Sequence, residues 1–152
     1  MEGLNTIGEV LEFAIAREVD ASELYMELAG RVQNPLIRVL FENLAEEELE
    51  HKGKLELELM KEGIVAKTEG MIARVEPGDY FMEGEIRADM ELKDALLLCV
   101  EKERRSFRFY TRMAGIMRDE TMIETLISLA EEEARHMVRF EREYDKVVPP
   151  RK

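Results

Sequence analysis

Apolar residues recur every three or four positions along four long stretches of the chain, the signature of helices with one buried face. The first stripe is Ile7, Leu11, Ala14, Ala21, Tyr25, Leu28 and Val32. It predicts a helix over about 6–32, opened by Thr6-Ile7-Gly8-Glu9, which has the form of a capping box. Asn34-Pro35 then makes a turn with proline placed to start a second helix over about 35–62. Its stripe is Ile37, Phe41, Leu44, Leu55 and Leu59, and Gly63 stands where a C-terminal cap is expected. A third helix over about 91–117 carries Leu92, Leu96, Cys99, Phe107, Tyr110 and Ala114. The fourth, over about 120–147, carries Met122, Leu126, Leu129, Phe140 and Tyr144. Asp119 is its expected N-cap, and Pro149-Pro150 set its limit.

Between the second and third helices the periodicity stops. Residues 63–90 hold glycines at 63, 70, 78 and 84 and a Pro77-Gly78 turn signal. So long a connection exceeds an ordinary helix-to-helix loop, and an extended chain of that length spans a helix of ~40 Å. It therefore reads as a crossover from one end of a bundle to the other. Ile64, Val65, Met71, Ile72, Val75, Tyr80, Phe81 and Met82 are available to pack it down or to serve a subunit interface. Two helical hairpins joined by one long crossover give an all-α, ferritin-like four-helix bundle, with residues 1–152 forming a single domain.

Each stripe contains a polar gap near its middle. Glu18 falls between Ala14 and Ala21, Glu48 and His51 between Leu44 and Leu55, Glu103 between Cys99 and Phe107, and Glu133 and His136 between Leu129 and Phe140. Antiparallel packing would bring all six to one level of the bundle core. The two histidines are the only ones in the chain, and each ends a copy of Leu-Ala-Glu-Glu-Glu-x-x-His, the copies lying 85 residues apart (51 to 136). Glu18, Tyr25 and Ala29 recur at the same offset as Glu103, Tyr110 and Ala114, while Ser22 falls on Phe107. The chain is thus two copies of a two-helix unit, each with one lone glutamate and one Glu-x-x-His.

Residues three apart share a helix face, so each Glu-x-x-His pair can converge on one first-row metal ion. Four buried carboxylates left uncompensated would cost several kcal/mol each, against a domain stability of ~5–15 kcal/mol. Two divalent cations would neutralise them, and two imidazoles complete the set. A Glu from each of two helices plus Glu-x-x-His from each of the others is the ligand pattern of di-iron and di-manganese carboxylate bundles. Glu101 competes with Glu103 for the third helix, but two residues rotate it by about 200°, off the core face. Glu46, Glu47, Glu131 and Glu132 are expected on solvated faces. Tyr25 and Tyr110, two turns from Glu18 and Glu103, are candidates to donate hydrogen bonds to the ligands or to quench oxidising equivalents, and equally to be core filler.

Composition narrows the rest. A net charge of −12 argues against nucleic acid and anionic membranes as partners. No apolar run reaches the ~20 residues of a membrane span, and MEGLNTIGEV lacks the regions of a signal peptide, so a cytoplasmic location is expected. The single cysteine, Cys99, one turn before Glu103, forms no internal disulfide and reads as a small hydrophobe near the site. With no Cys-x-x-Cys pair, the chain holds no rubredoxin-type module of its own. Electrons, if needed, must come from another protein. The ten methionines read as pliable packing.

At Ala16-Arg17-Glu18-Val19-Asp20-Ala21, Glu48-Leu49-Glu50-His51, Glu103 followed by Tyr110, and Glu133-Ala134-Arg135-His136, the chain resembles the rubrerythrin and ferritin-like di-iron superfamily over nearly its whole length. The resemblance implies iron-ligand roles for Glu18, Glu48, His51, Glu103, Glu133 and His136, with Glu48 and Glu133 bridging and one histidine on each metal. It implies two metal ions, iron first, with manganese or zinc as alternatives. It further implies an oxidoreductase of oxidative-stress defence that reduces hydrogen peroxide or dioxygen, with a separate, rubredoxin-like electron donor. The chain departs from rubrerythrins at Ser106, where they have an additional glutamate. The twofold repeat and the apolar crossover suggest a homodimer. Iron oxidation and handling, or a non-catalytic zinc-holding bundle, are the alternatives the same six residues would support.

Overall fold

The capping signals work as the sequence anticipates. In the computed structural model, which describes residues 3–65, 71–76, 80 and 90–148, Thr6 accepts from the Glu9 backbone N–H at 3.1 Å. The Glu9 carboxylate in turn accepts from the Thr6 N–H at 3.1 Å. That reciprocal pair satisfies two otherwise orphaned donors and opens helix α1, Ile7–Arg31. Helix α2 runs Pro35–Val65, α3 Leu92–Ile116 and α4 Glu120–Val147. Asp119 caps α4, accepting from the Met122 N–H at 2.9 Å. No helix among the described residues is long and apolar enough to cross a membrane.

Two details differ from the sequence pattern. Helix α2 continues through Gly63 to Val65, where Gly63 was expected to end it; glycine weakens a helix interior without forbidding it. A short antiparallel ribbon is also present, β1 (Leu4–Thr6) pairing with β2 (Met71–Val75), with Leu4 opposite Val75 and Thr6 opposite Met71. Three and five residues are too few for a period of two to stand out. Of the connecting segment, residues 66–70, 77–79 and 81–89 lie outside the described residues. With them lie the expected roles of Phe81, Met82, the Pro77-Gly78 turn and the glycines at 70, 78 and 84.

Helix α1 packs along α2, and α3 along α4. Glu58, buried on α2, ties the hairpins together by accepting from the Thr125 hydroxyl of α4 at 2.8 Å. The apolar stripes form two clusters rather than one. One gathers Tyr25, Leu28, Phe41, Leu44, Leu96 and Phe140. The other gathers Leu11, Leu55, Tyr110, Met113, Leu126 and Leu129. Along every helix the polar gap falls between a residue of one cluster and a residue of the other, so a polar layer is sandwiched between two dry ones. Burial of the two clusters, at ~25 cal/mol per Å² of apolar surface, is what holds that layer closed against water.

Candidate metal centre

All six polar residues of the stripe gaps reach that layer and are buried there. Glu103 and Glu133 are fully inaccessible, and Glu18, Glu48, His51 and His136 are 1–3% exposed. Their ligand atoms fall into two overlapping groups. One comprises Glu18, Glu48, His51 and Glu133, and the other Glu48, Glu103, Glu133 and His136. Within each group one atom per residue lies within 4.8 Å of the others. Glu48 and Glu133 are common to both groups of four, in which each lone glutamate and each histidine appears once; Glu48, His51 and His136 form a third, smaller group. Glu101, the rival to Glu103, is turned away and pairs with Arg105 at 3.4 Å and with Arg104.

Contacts at the centre repeat across the two halves. His51 Nδ1 is 2.8 Å from Glu133 Oε1 and 3.6 Å from Glu18 Oε2; His136 Nδ1 is 2.9 Å from Glu48 Oε1 and 3.7 Å from Glu103 Oε2. The two imidazoles stack at 5.6 Å with their planes 8° apart. Tyr25 on α1 donates its hydroxyl hydrogen to Glu103 on α3, and Tyr110 on α3 donates to Glu18 on α1. The tyrosines are therefore neither loose filler nor partners of the glutamate on their own helix. Each holds the lone glutamate of the other half.

A buried polar atom is normally satisfied, yet seven atoms of this layer have no hydrogen-bond partner. They are Glu18 Oε2, Glu48 Oε1, His51 Nδ1, Glu103 Oε2, both oxygens of Glu133 and His136 Nδ1. Every one is a lone-pair donor facing the layer. Carboxylate oxygen and imidazole nitrogen suit a borderline first-row cation, so the donor set fits two metal ions that share Glu48 and Glu133.

Without an ion, the acids cannot all be charged. Burial raises the Glu48 and Glu133 carboxyls well above their ordinary range, and the neighbouring charges of Glu18 and Glu103 add to it. Burial also works on Glu18 and Glu103, but there it is outweighed. The neighbouring His51 lowers Glu18, and the neighbouring Glu133 and His136 lower Glu103. His136, despite burial, is raised to about 10 by Glu103 and Glu48. Burial and neighbouring charge thus favour protons on the shared pair, and the histidines favour charge on the terminal pair. Burial pushes Tyr25 and Tyr110 well up, aided by the adjacent carboxylates, so both remain neutral donors. The Cys99 thiol, fully buried in the Tyr25 cluster, is also raised by burial and stays protonated, as a small hydrophobe would.

The acidic runs beside the histidines divide. Glu46 and Glu131 are exposed, as expected. Glu47 and Glu132 are not simply solvated: Glu132 Oε2 is 2.7 Å from His51 Nε2, and Glu47 Oε2 is 3.6 Å from His136 Nε2. Glu132 contacts the outer ring nitrogen of the opposite half's histidine and Glu47 lies near it, and each is itself held by a cation, Lys54 at 3.5 Å for Glu132 and Arg139 at 3.1 Å for Glu47. A carboxylate on the outer nitrogen fixes the ring and turns Nδ1 inward as a ligand. The only sequence signal for this was the 85-residue offset, which relates Glu47 to Glu132 and Lys54 to Arg139.

The chain matches the family model described as Rubrerythrin over residues 9–144. It belongs to the rubrerythrin family. Two solved structures share the fold. A Thermotoga maritima protein described as ferritin-like diiron-carboxylate superposes with a TM-score of 0.79 at 19% identity, covering 97% of this chain and 99% of that one. A hypothetical protein from Pyrococcus furiosus superposes with a TM-score of 0.68 at 22% identity, covering 91% and 87%. No curated protein sequence matches the chain. Family membership and the converged Glu and His side chains together indicate a dinuclear metal centre in a ferritin-like bundle.

Proposed function

We propose that the chain is a di-iron redox protein that reduces hydrogen peroxide or dioxygen with electrons from a separate donor. The observation that carries this reading is the set of seven unsatisfied ligand atoms arranged as two groups with two shared carboxylates. Glu48 and Glu133 would bridge, Glu18 and His51 would hold one ion, and Glu103 and His136 the other. Bound iron would supply two one-electron equivalents and Lewis acidity, the chemistry no side chain here provides.

The chain's own residues do the rest. Reduction of hydrogen peroxide to two waters takes two electrons and two protons, so the site must tolerate changes of charge. Carboxylates that leave one oxygen free, as Glu18 and Glu103 do while their other oxygen accepts from a tyrosine, can change coordination without leaving the layer. Tyr25 and Tyr110 keep those carboxylates aimed. The apolar clusters above and below limit water, which strengthens every electrostatic interaction inside. Glu132 anchors His51 from outside, and Glu47 lies at the corresponding place beside His136.

The test is anaerobic loading of the full chain with ferrous iron, followed by separate challenges with peroxide and oxygen. The proposal predicts oxidation of two irons per peroxide, faster than that of free ferrous ion. No acceleration with either oxidant would reject it. A protein that binds zinc in preference, or that oxidises iron only to release it as mineral, would point instead to a structural bundle or to iron handling.

A further inference from the structure

An apolar groove of about 360 Å³ runs between α3 and α4, lined by Phe107, Ala114, Ile123, Ile127, Ala130 and Glu131 among others. Ile127 is 46% exposed in it. Leu97, four turns before the groove residue Thr111, and Val138, three turns after Ile127, continue the same two helix faces and are 51% and 42% exposed. Among the described residues only α3 and α4 line the groove. Tyr80 of the connecting segment packs on Phe109 instead, at 5.6 Å, and two residues place Phe109 about 200° round α3 from Phe107.

The fold does not demand apolar residues here. At the 85-residue offset Leu97, Phe107, Ile123 and Ile127 correspond to Glu12, Ser22, Arg38 and Glu42 of α1 and α2. An apolar patch present in one half only marks a surface that another molecule covers.

Charge indicates which molecule. Helix α3 carries six Lys and Arg against three Asp and Glu, whereas α4 carries eight acids against four bases. Arg108, one turn before Thr111, stands on one wall and Glu131 on the other; both are exposed, and neither has an ion-pair partner among the described residues. A groove with one basic and one acidic wall complements a second copy of itself turned about a twofold axis along the groove, which sets each basic wall on the other copy's acidic one. A partner of one uniform charge would meet a repelling wall. On α1 and α2 the positions equivalent to Arg108 and Glu131 are Glu23 and Glu46, like charges that would repel a second copy. The area is adequate as well. A face two helices wide, at ~10 Å each, and ~37 Å long offers roughly 700 Å², close to the ~800 Å² per partner of a stable interface.

We propose that the α3–α4 face is the contact of a twofold homodimer, in which the apolar groove of one copy lies on that of the other and Arg108 of each copy faces Glu131 of the second.

The experiment is analytical ultracentrifugation of the full chain over about 1–100 μM, a range in which mass action reports self-association. Wild type should approach twice 17.7 kDa at the upper end. Ile127→Arg should weaken association about hundredfold or more, since it places a charge in the apolar centre and opposite the basic wall. Arg108→Glu and Glu131→Arg should each weaken it about tenfold, and the two combined should return it to within about threefold of wild type. Both side chains are exposed, so this reversal stays readable should Ile127→Arg fail to fold. Met26→Arg, on α1 at the exposed position equivalent to Thr111, should leave the dimer intact. A wild-type monomer across the range would overturn the proposal and assign the groove to a different occupant. A dimer that Met26→Arg dissociates and Ile127→Arg does not would overturn it in favour of α1 and α2. A combined variant that associates no more tightly than either single one would overturn the facing of Arg108 and Glu131 on which it stands.

Discussion

The two halves of the chain, α1 with α2 and α3 with α4, agree at the polar layer and diverge around it. Histidine contacts to the shared glutamates differ by only a tenth of an ångström, 2.8 against 2.9 Å, and those to the lone glutamates by the same, 3.6 against 3.7 Å. The tyrosine bonds cross symmetrically. Beyond the layer, Ala14 faces the role of Cys99, Ala21 that of Ser106, and Lys54 that of Arg139. The repeat is symmetric where lone pairs must converge on common points, and asymmetric where packing volume need only be filled.

The strongest way to break the symmetry is through the shared carboxylates. Glu48→Gln and Glu133→Gln each remove a donor common to both groups, so each should cost binding of both ions. His51→Asn and His136→Asn should each weaken one ion and leave the other, visible as a single-metal species by native mass spectrometry. A shared-residue variant that loses only one ion would mean that the two groups are independent.

Protons give the next largest effect. In the metal-free layer burial raises Glu48 and Glu133, and His136 is raised to about 10 by Glu103 and Glu48, so metal competes with protons for these ligand atoms. Loading should release protons into a weakly buffered solution, and metal affinity should fall as pH falls. For the metal-free protein the sign is the reverse at His136. A folded value above the ordinary ~6.5 gives stability that is fully present below that pH and is lost as pH rises through about 10. Melting temperature followed against pH, with and without metal, checks both directions.

A smaller effect sharpens the comparison. Glu132 sits closer to its histidine than Glu47 does, 2.7 against 3.6 Å. Glu132→Gln and Glu47→Gln should each reduce metal affinity by roughly 10–100-fold, the range for loss of a carboxylate behind a ligating histidine. Glu132→Gln should be the more severe. Equal effects would show that the shorter contact confers nothing extra.

Much of this centre was legible in the sequence because it violates a periodic pattern. A glutamate or histidine in an apolar stripe must be buried by the same 3.6-residue geometry that buries its neighbours, and the repeat favours Glu103 over Glu101. Pairing across helices was not legible. Glu47 stands four residues before His51 on one helix, which suggests an intrahelical partner, yet it reaches His136 of α4; only the packing of α2 against α4 decides that. The β1–β2 ribbon and the last turn of α2 were hidden for a different reason, being short or glycine-containing segments whose conformation depends on tertiary contacts.

The central claim is that the six residues form one dinuclear centre rather than one site per repeat. Anaerobic titration of the metal-free full chain with ferrous iron, read by calorimetry together with mass spectrometry of the product, tests it most directly. The account predicts saturation at two ions per chain, with loss of both on Glu133→Gln. Saturation at one ion, or two ions of which Glu133→Gln leaves one bound with unchanged affinity, would contradict it.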